Sequence, residues 1–338
     1  MTHRSWDIVV VGGCNYDYLM KSDTLPKLGE TLEAHAFQAA PGGKGANQAV
    51  AAARLGARVA MIGTVGADGA GEIILDRLRS EGVDTQHVAR DPVAPTGVAL
   101  VLVGEKGGKT IMTVPGANRA LATPRVHEAA ELISQARLLL CQLEVPVEAV
   151  TAALLHARQA GTRTVLDPAP VRPLSDLLLS CVDVIRPNAA EAEALTDIAI
   201  TDLTAARRAA RALQRKGVPV VGIEAGSEGN LLVWPDGECV VGRLPVESVD
   251  QTGAGDAFVA ALAVAAVMEL PWEEGARWAN AAAALATTKL GAMAGLPTRR
   301  ELEEFLRGLE GEAERGPTSV ITRRPRPGAT TGGYADWD

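Results

Sequence analysis

The stretch RLLLCQLEVPVEAVTAALLHARQAGTRTVLD, residues 137–167, decides the fold. An apolar run at 137–142, short enough for a strand, passes through Pro146 into an alanine- and leucine-rich periodic segment at 147–160. That segment stops at Gly161, and a second strand-like run follows at 163–167. Strand, glycine-terminated helix and strand in this order form a βαβ unit, which lays its two strands parallel and covers them with the helix. The same rhythm extends outward from this stretch. Further strands are expected at 7–12, 58–63, 182–186 and 218–223, and further helices at 45–56, 69–81 and 203–216, several ended by Gly56, Gly82 and Gly217. The expected fold is therefore α/β: a doubly wound, mostly parallel sheet with helices on both faces. Two regions, about 16–40 and 93–114, break the rhythm with alternating polar and apolar residues. Their turn signals are Lys27-Leu28-Gly29 and Glu105-Lys106-Gly107-Gly108, and they are expected to pair as a small antiparallel β lid. Beyond residue 310 the chain turns rich in Pro, Gly, Thr and Arg. Residues 311–338 are therefore expected to be a disordered tail on a single 1–310 domain without internal repeats.

Composition excludes several functions. The chain has 338 residues, 47% of them hydrophobic and 22% charged, enough to bury a large core. With 3% aromatic residues and a net charge of −8 it lacks both the stacking platforms and the basic footprint of a nucleic-acid binder. No signal-like apolar region follows Met1, and no apolar run reaches about 18 residues, so a soluble, cytoplasmic protein with no membrane partner is expected. Cys14, Cys141, Cys181 and Cys239 lie far apart, in or beside apolar runs and without CxxC spacing, as expected of buried reduced thiols.

Chemistry concentrates in two glycine-bearing turns, each leading into an alanine-rich helix. In Asp250-Gln251-Thr252-Gly253-Ala254-Gly255-Asp256 a carboxylate stands directly behind the turn. The first N–H groups of a helix have no partner within it and sit at the positive end of its dipole, so they can hold phosphate oxygens. Asp256 beside them could take a proton from an attacking hydroxyl while the N–H groups of Ala254, Gly255 and Asp256 absorb phosphoryl charge, which suits a small-molecule kinase. The turn reads equally as a plain helix cap, with Asp250 or Thr252 at the cap. The second turn, Pro41-Gly42-Gly43-Lys44-Gly45-Ala46-Asn47-Gln48-Ala49, fits no Walker A frame. Lys44 and Asn47 offer donors at a helix start with room for a polyhydroxylated molecule, or the segment is merely a tight structural turn.

Together these turns resemble the two signatures of the ribokinase-like carbohydrate kinases, also called the phosphofructokinase B family. The likeness runs from about residue 6 to 309. It includes Gly12-Gly13-Cys14-Asn15-Tyr16-Asp17, Gln142-Leu143-Glu144-Val145-Pro146, Asp167-Pro168-Ala169-Pro170, Arg186-Pro187-Asn188-Ala189-Ala190-Glu191 and Gly226-Ser227-Glu228-Gly229 as well as both turns. Within the family the set is most similar to the ribokinase branch. The resemblance implies transfer of the γ-phosphoryl of ATP to a primary hydroxyl, that of D-ribose first, with a nucleoside (adenosine or pseudouridine) or another sugar as alternative acceptors. A sugar-binding protein without catalysis is a weaker reading, and a dinucleotide-dependent oxidoreductase the weakest, because the first motif lacks the G-x-G-x-x-G frame.

By the same resemblance, Asp256 is the base and Gly253, Ala254 and Gly255 hold the phosphoryl group. Asn15, Asp17, Gly43, Lys44, Asn47 and Glu144 bind the sugar, Glu144 reading otherwise as a helix-capping acid and Asp17 as a turn residue. Asn188, Glu224, Gly226, Ser227, Gly229, Gly255 and Asn280 border the nucleotide. Glu191 helps place Mg²⁺, although Asn188 and Glu191 also spell a capping box. A monovalent cation, K⁺, is implied at Asp250 and Thr252 and a loop carrying Ala286, Lys289, Gly291 and Gly295, and a homodimer through the lid is implied as well. The sequence departs from the pattern at Glu224, where Thr or Lys is expected, at Gln251 in place of Thr, at Gly295, which has no hydroxyl, and at Tyr16 and Tyr18 around Asp17.

Overall fold

Strand β1 (Trp6–Val11) sets the architecture, because Ile8 and Val10 point to one side, Val9 and Val11 to the other, and all four are fully buried. A strand apolar on both faces belongs inside a sheet covered on both. The computed structural model, which describes residues 4–104 and 108–313, places β1 accordingly. Ile8 and Val10 join a core layer with helices Lys44–Arg54, Ala254–Val267 and Trp272–Ala286, while Val9 and Val11 join a second layer with helices Val147–Ala160 and Leu203–Arg215.

Two sheets share the thirteen strands of the described residues. The lid is built from β2 (Asn15–Lys21), β3 (Ala36–Gly42), β6 (Gly97–Val103) and β7 (Lys109–Val114), in the order β3-β2-β6-β7. The main sheet adds β4 (Val59–Gly66), β5 (Asp84–Asp91), β8 (Ala136–Gln142), β9 (Arg163–Asp167), β10 (Val184–Ile185), β11 (Val220–Glu224), β12 (Asn230–Trp234) and β13 (Gly237–Val241). Its nine strands run in the order β13-β12-β11-β10-β9-β8-β1-β4-β5, all neighbours parallel except the terminal β11-β12-β13 meander. The six expected strands and four expected helices are all present. The lid carries two antiparallel pairings, β2 with β3 and β6 with β7, joined by one parallel pairing of β2 with β6. All four cysteines are buried and free. Residues 105–107 of the expected turn at 105–108 and the expected tail past Ala313 lie outside the described residues, and helix Arg299–Ala313 crosses the expected boundary at 310.

The winding positions the site. From β1 the main sheet grows outward through β4 to β5, then the chain returns across β1 to lay β8 and afterwards β9, β10 and β11 on the other side. The direction of growth reverses between β1 and β8, and at such a switch point the strands' carboxyl ends leave a crevice. Asn15 and Asp17 follow β1, and Glu144 follows β8.

Candidate active site

Two helices start at this crevice with glycine at the N-cap, which has no side chain to cap them. Lys44–Arg54 begins after Gly43, whose φ is 87°, and Ala254–Val267 begins after Gly253, whose φ is 86°. Glycine enters this left-handed region without the steric cost other residues meet. The plain-cap reading of the Asp250–Asp256 turn does not hold, because Asp250 bonds elsewhere. Its Oδ1 accepts from the Thr252 amide at 2.9 Å and hydroxyl at 2.7 Å, and its Oδ2 accepts from the Gly291 amide at 2.9 Å. The first N–H groups of Ala254–Val267 are left without a side-chain acceptor.

Both helix starts open into one cleft of about 590 Å³. Asn15, Asp17, Gly43, Lys44, Asn47 and Glu144 line one part of it. Asn188, Glu191, Glu224, Gly226, Gly229 and Asn280 line another, and Gly253–Asp256 belongs to the same wall. Lid strands β6 and β7 contribute Ala99, Val101, Lys109, Ile111 and Thr113. Of the expected nucleotide residues, Ser227 alone is absent from this wall and is exposed on the surface.

Donors converge on Asp256, which is 5% exposed. Asn47 Nδ2 donates to its Oδ2 at 2.9 Å, Gln48 Nε2 donates to its Oδ1 at 3.0 Å, and Lys44 Nζ lies 3.6 Å from Oδ1. The Lys44 ammonium also donates to Asp167 Oδ2 at 2.9 Å, so it sits between two carboxylates. Burial alone would lower its pKa, but Asp167 and Asp256 raise it well above the ordinary lysine value. Gln48 donates to Asp167 as well, at 2.8 Å, and accepts from Gln142.

Among the residues expected to meet the sugar, Asn15 Oδ1 accepts from Asn118 Nδ2 at 2.8 Å, and Asn118 is itself fixed by the Cys14 backbone. Glu144 Oε2 accepts from the Lys44 amide at 2.8 Å, tying the end of β8 to the start of a helix a hundred residues away in sequence. Burial, then the charge of Asp256, pushes Asp17 up to about 7. Burial likewise carries Glu144 up to about 7, against the opposing pull of Lys44. Asp17 Oδ1 and Asn47 Oδ1 are buried and have no hydrogen-bond partner among the described residues.

At the far end, Asn188 and Glu191 form a full capping box, with the Asn188 amide donating to Glu191 Oε2 and the Glu191 amide to Asn188 Oδ1, both at 2.9 Å. Glu191 still lines the cleft, and burial, followed by the charge of Asp167, raises its pKa. Asn280 spends both ends of its amide on protein, donating to the Gly242 carbonyl at 2.7 Å and accepting from Asn230 at 3.2 Å. Glu224 does not stand alone beside the cleft: its Oε2 lies 3.3 Å from Arg186 Nη2. Of the expected cation loop, Gly291 bonds Asp250 directly, whereas Ala286 ends helix Trp272–Ala286 and Gly295 lies in a short helix, Ala292–Gly295, where a side chain would run into the Ala286 carbonyl. The Lys289 ammonium is exposed, 3.9 Å from Glu301.

The sequence reading did not single out Gln48, Asn118, Asp167, Arg186 or Lys109 as site residues. Gln48, Asp167 and Arg186 lie within the family motifs, and the placement of Gln48 beside Asn47 on a helix and of Asp167 and Arg186 at strand ends is the available signal.

The pfkB family carbohydrate kinase model matches residues 6–299. The ribokinase of Haemophilus influenzae is 39% identical over 299 residues, covering 88% of this chain and 98% of the relative. The deoxyribokinase of Salmonella typhi is 35% identical over 301 residues, covering 89% and 98%. The structure of Arabidopsis thaliana ribokinase complexed with ribose and ATP superposes with a TM-score of 0.82 at 32% identity, covering 89% of this chain and 99% of that one.

Proposed function

The chain belongs to the pfkB family of carbohydrate kinases, and we propose that it transfers the γ-phosphoryl group of ATP to the 5-hydroxyl of D-ribose. The observation that carries this reading is Asp256, held by three donors at the start of an uncapped helix whose cleft also holds unpartnered sugar-side oxygens. A buried polar atom left without a partner costs about 1–3 kcal/mol. Sugar hydroxyls at Asp17 Oδ1 and Asn47 Oδ1 remove that cost, and Asn15, Gly43, Lys44 and Glu144 complete the contacts around them.

In the reaction the sugar hydroxyl gives its proton to Asp256 as its oxygen bonds to the γ-phosphorus. The bond from that phosphorus to the β–γ bridging oxygen breaks, and ADP leaves with the electron pair. The N–H groups of Ala254, Gly255 and Asp256 hold the phosphoryl charge, and the lid keeps water from competing as acceptor. Asn188, Gly226, Gly229 and Asn280 border the nucleotide. Glu191 suits Mg²⁺, since one carboxylate among retained waters is sufficient and its Oε2 alone is engaged in the capping box. When bound, the ion neutralises charge on the phosphates.

A monovalent cation fits beside the turn. Asp250 is 1% exposed, and among the described residues only N–H and O–H donors, no cationic side chain, bond its carboxylate. Thr252 and the main-chain carbonyls of the loop through Ala286, Lys289, Gly291 and Gly295 supply the oxygen ligands a hard cation requires. Among the described residues no helix is long and apolar enough to cross a membrane. ATP as donor and four free thiols suit a cytoplasmic enzyme. The lid presents Phe37 at 62%, Met112 at 69% and Val114 at 63% exposure, an apolar face suited to a second copy of the chain.

Tyr16 and Tyr18 would favour a nucleoside if they lined the pocket. Neither lines the cleft: Tyr18 packs edge-on to Tyr16 at 5.5 Å and stacks on Phe37 at 6.4 Å. Their placement supports a sugar over a nucleoside, and release of ADP with ribose, 2-deoxyribose, other sugars and nucleosides tests the choice. Fastest turnover with adenosine or pseudouridine refutes the ribose assignment.

A further inference from the structure

Arg186 follows β10, and its side chain is 9% exposed. One edge of the guanidinium is anchored, with Nη2 donating to Asn230 Oδ1 at 3.0 Å and to Glu224 Oε2 at 3.3 Å. Its carbon lies 4.7 Å from the centre of the Phe258 ring, a cation–π position that fixes the plane. The other two nitrogens are unspent: Nε is buried and donates to nothing among the described residues, Nη1 makes no hydrogen bond among them, and the residue lines the cleft. A Cβ placed on Gly255 would meet only one neighbour within 4 Å, this Nη1 at 3.5 Å. A buried guanidinium with spare donors, aimed at the open start of a helix, is arranged for an anion there.

We infer that Arg186 is a catalytic residue that contacts the terminal phosphate oxygens of ATP, with Glu224 and Asn230 as its positioning residues. The inference rests on the proposed siting of those phosphates at Gly253–Asp256. It also accounts for the departure at Glu224. A carboxylate near ATP would repel the phosphates, but here its charge is turned to Arg186, and the pair presents a planar, oriented cation to the cleft. Glu224 therefore acts through Arg186 and does not itself contact the nucleotide.

The test is steady-state kinetics and nucleotide binding on Arg186→Gln, Arg186→Ala and Arg186→Lys. Arg186→Gln is expected to lower kcat/KM for ATP by about 100-fold, the scale of a lost transition-state donor, with the KM for sugar within about threefold of wild type. Affinity for a non-hydrolysable ATP analogue falls about tenfold while affinity for AMP holds, because AMP lacks the terminal phosphates. Free guanidinium restores part of the rate to Arg186→Ala, and Arg186→Lys, which keeps the charge without the fork, recovers only part. A kcat/KM for Arg186→Gln within about threefold of wild type overturns the inference. So does an equal loss of AMP and ATP-analogue affinity with no response to guanidinium, the behaviour of a merely structural arginine. Asp256→Asn in the same assay separates the two claims: normal turnover there refutes the proposed phosphoryl transfer at this turn, whereas a collapse there with Arg186→Gln unaffected refutes only the role of the arginine.

Discussion

At the scale of single residues the account turns on carboxylates. Asp256→Asn is expected to lower kcat by about 10²-fold or more, the contribution typical of a positioned general base, and near-normal turnover refutes the role. Asp17 and Glu144 predict a pH dependence. Both carboxyls rise from ordinary values of 3.8 and 4.5 to about 7 in the folded chain, so folding favours their protonated forms. The stability this gives is complete below about pH 4 and is lost as pH rises through about 7. The proposed sugar binding runs the other way, because an ionised Asp17 would accept from hydroxyls most strongly. Titration calorimetry should show ribose bound at least about tenfold more tightly at pH 8 than at pH 6, the change expected across one pKa near 7, and Asp17→Asn should reduce that trend to the share of Glu144 while weakening binding. A trend unchanged in Asp17→Asn rules the assignment out. The sequence made Asp17, Asn47, Glu144 and Asp256 visible as polar residues at strand ends and helix starts. It hid the roles of Gln48 and Asp167, whose hydrogen bond joins positions 119 residues apart, because that convergence depends on the folded sheet.

At the scale of elements, the helix start at Gly253 is the proposed phosphate site. Alanine at position 255 fits the space and favours a helix over glycine, yet its methyl group would stand between Arg186 and the turn. Gly255→Ala is therefore expected to leave Tm unchanged or slightly raised while raising the KM for ATP at least about tenfold, a split that thermal melting beside steady-state kinetics reads directly. Unaltered kinetics would show that phosphate does not lie there. Asp250, which joins this turn to Gly291, should lose K⁺ activation when changed to Ala, and activation surviving in Asp250→Ala rules out the cation site. Elements with strong periodicity were legible from sequence. Strand β5 was not, because its DTQHVARD segment is an edge strand held by pairing with β4 rather than by an apolar face. The β12-β13 hairpin was missed as well, although Pro235-Asp236-Gly237 between two apolar runs is a hairpin signal.

At the scale of the whole molecule, sheet winding brings the two glycine turns, some 200 residues apart, to one switch point, and the lid faces them. The lid's outer strand β7 is exposed along its entire length. Such an edge invites pairing, so sedimentation should show a dimer at micromolar concentration and a monomer for Met112→Glu. A wild-type monomer under those conditions rejects the lid interface. The fold class was legible because alternating strands and helices admit few topologies, whereas the parallel β2-β6 link inside the lid was not, since short alternating strands carry no mark of direction. The central claim is tested most directly by coupled ADP release from ATP·Mg²⁺ across ribose, 2-deoxyribose, other sugars and nucleosides, with and without K⁺. The account predicts the highest kcat/KM for ribose, with ribose 5-phosphate formed in equal amount to ADP and the rate raised by K⁺. ADP release that no sugar stimulates, or that a nucleoside stimulates best, contradicts it.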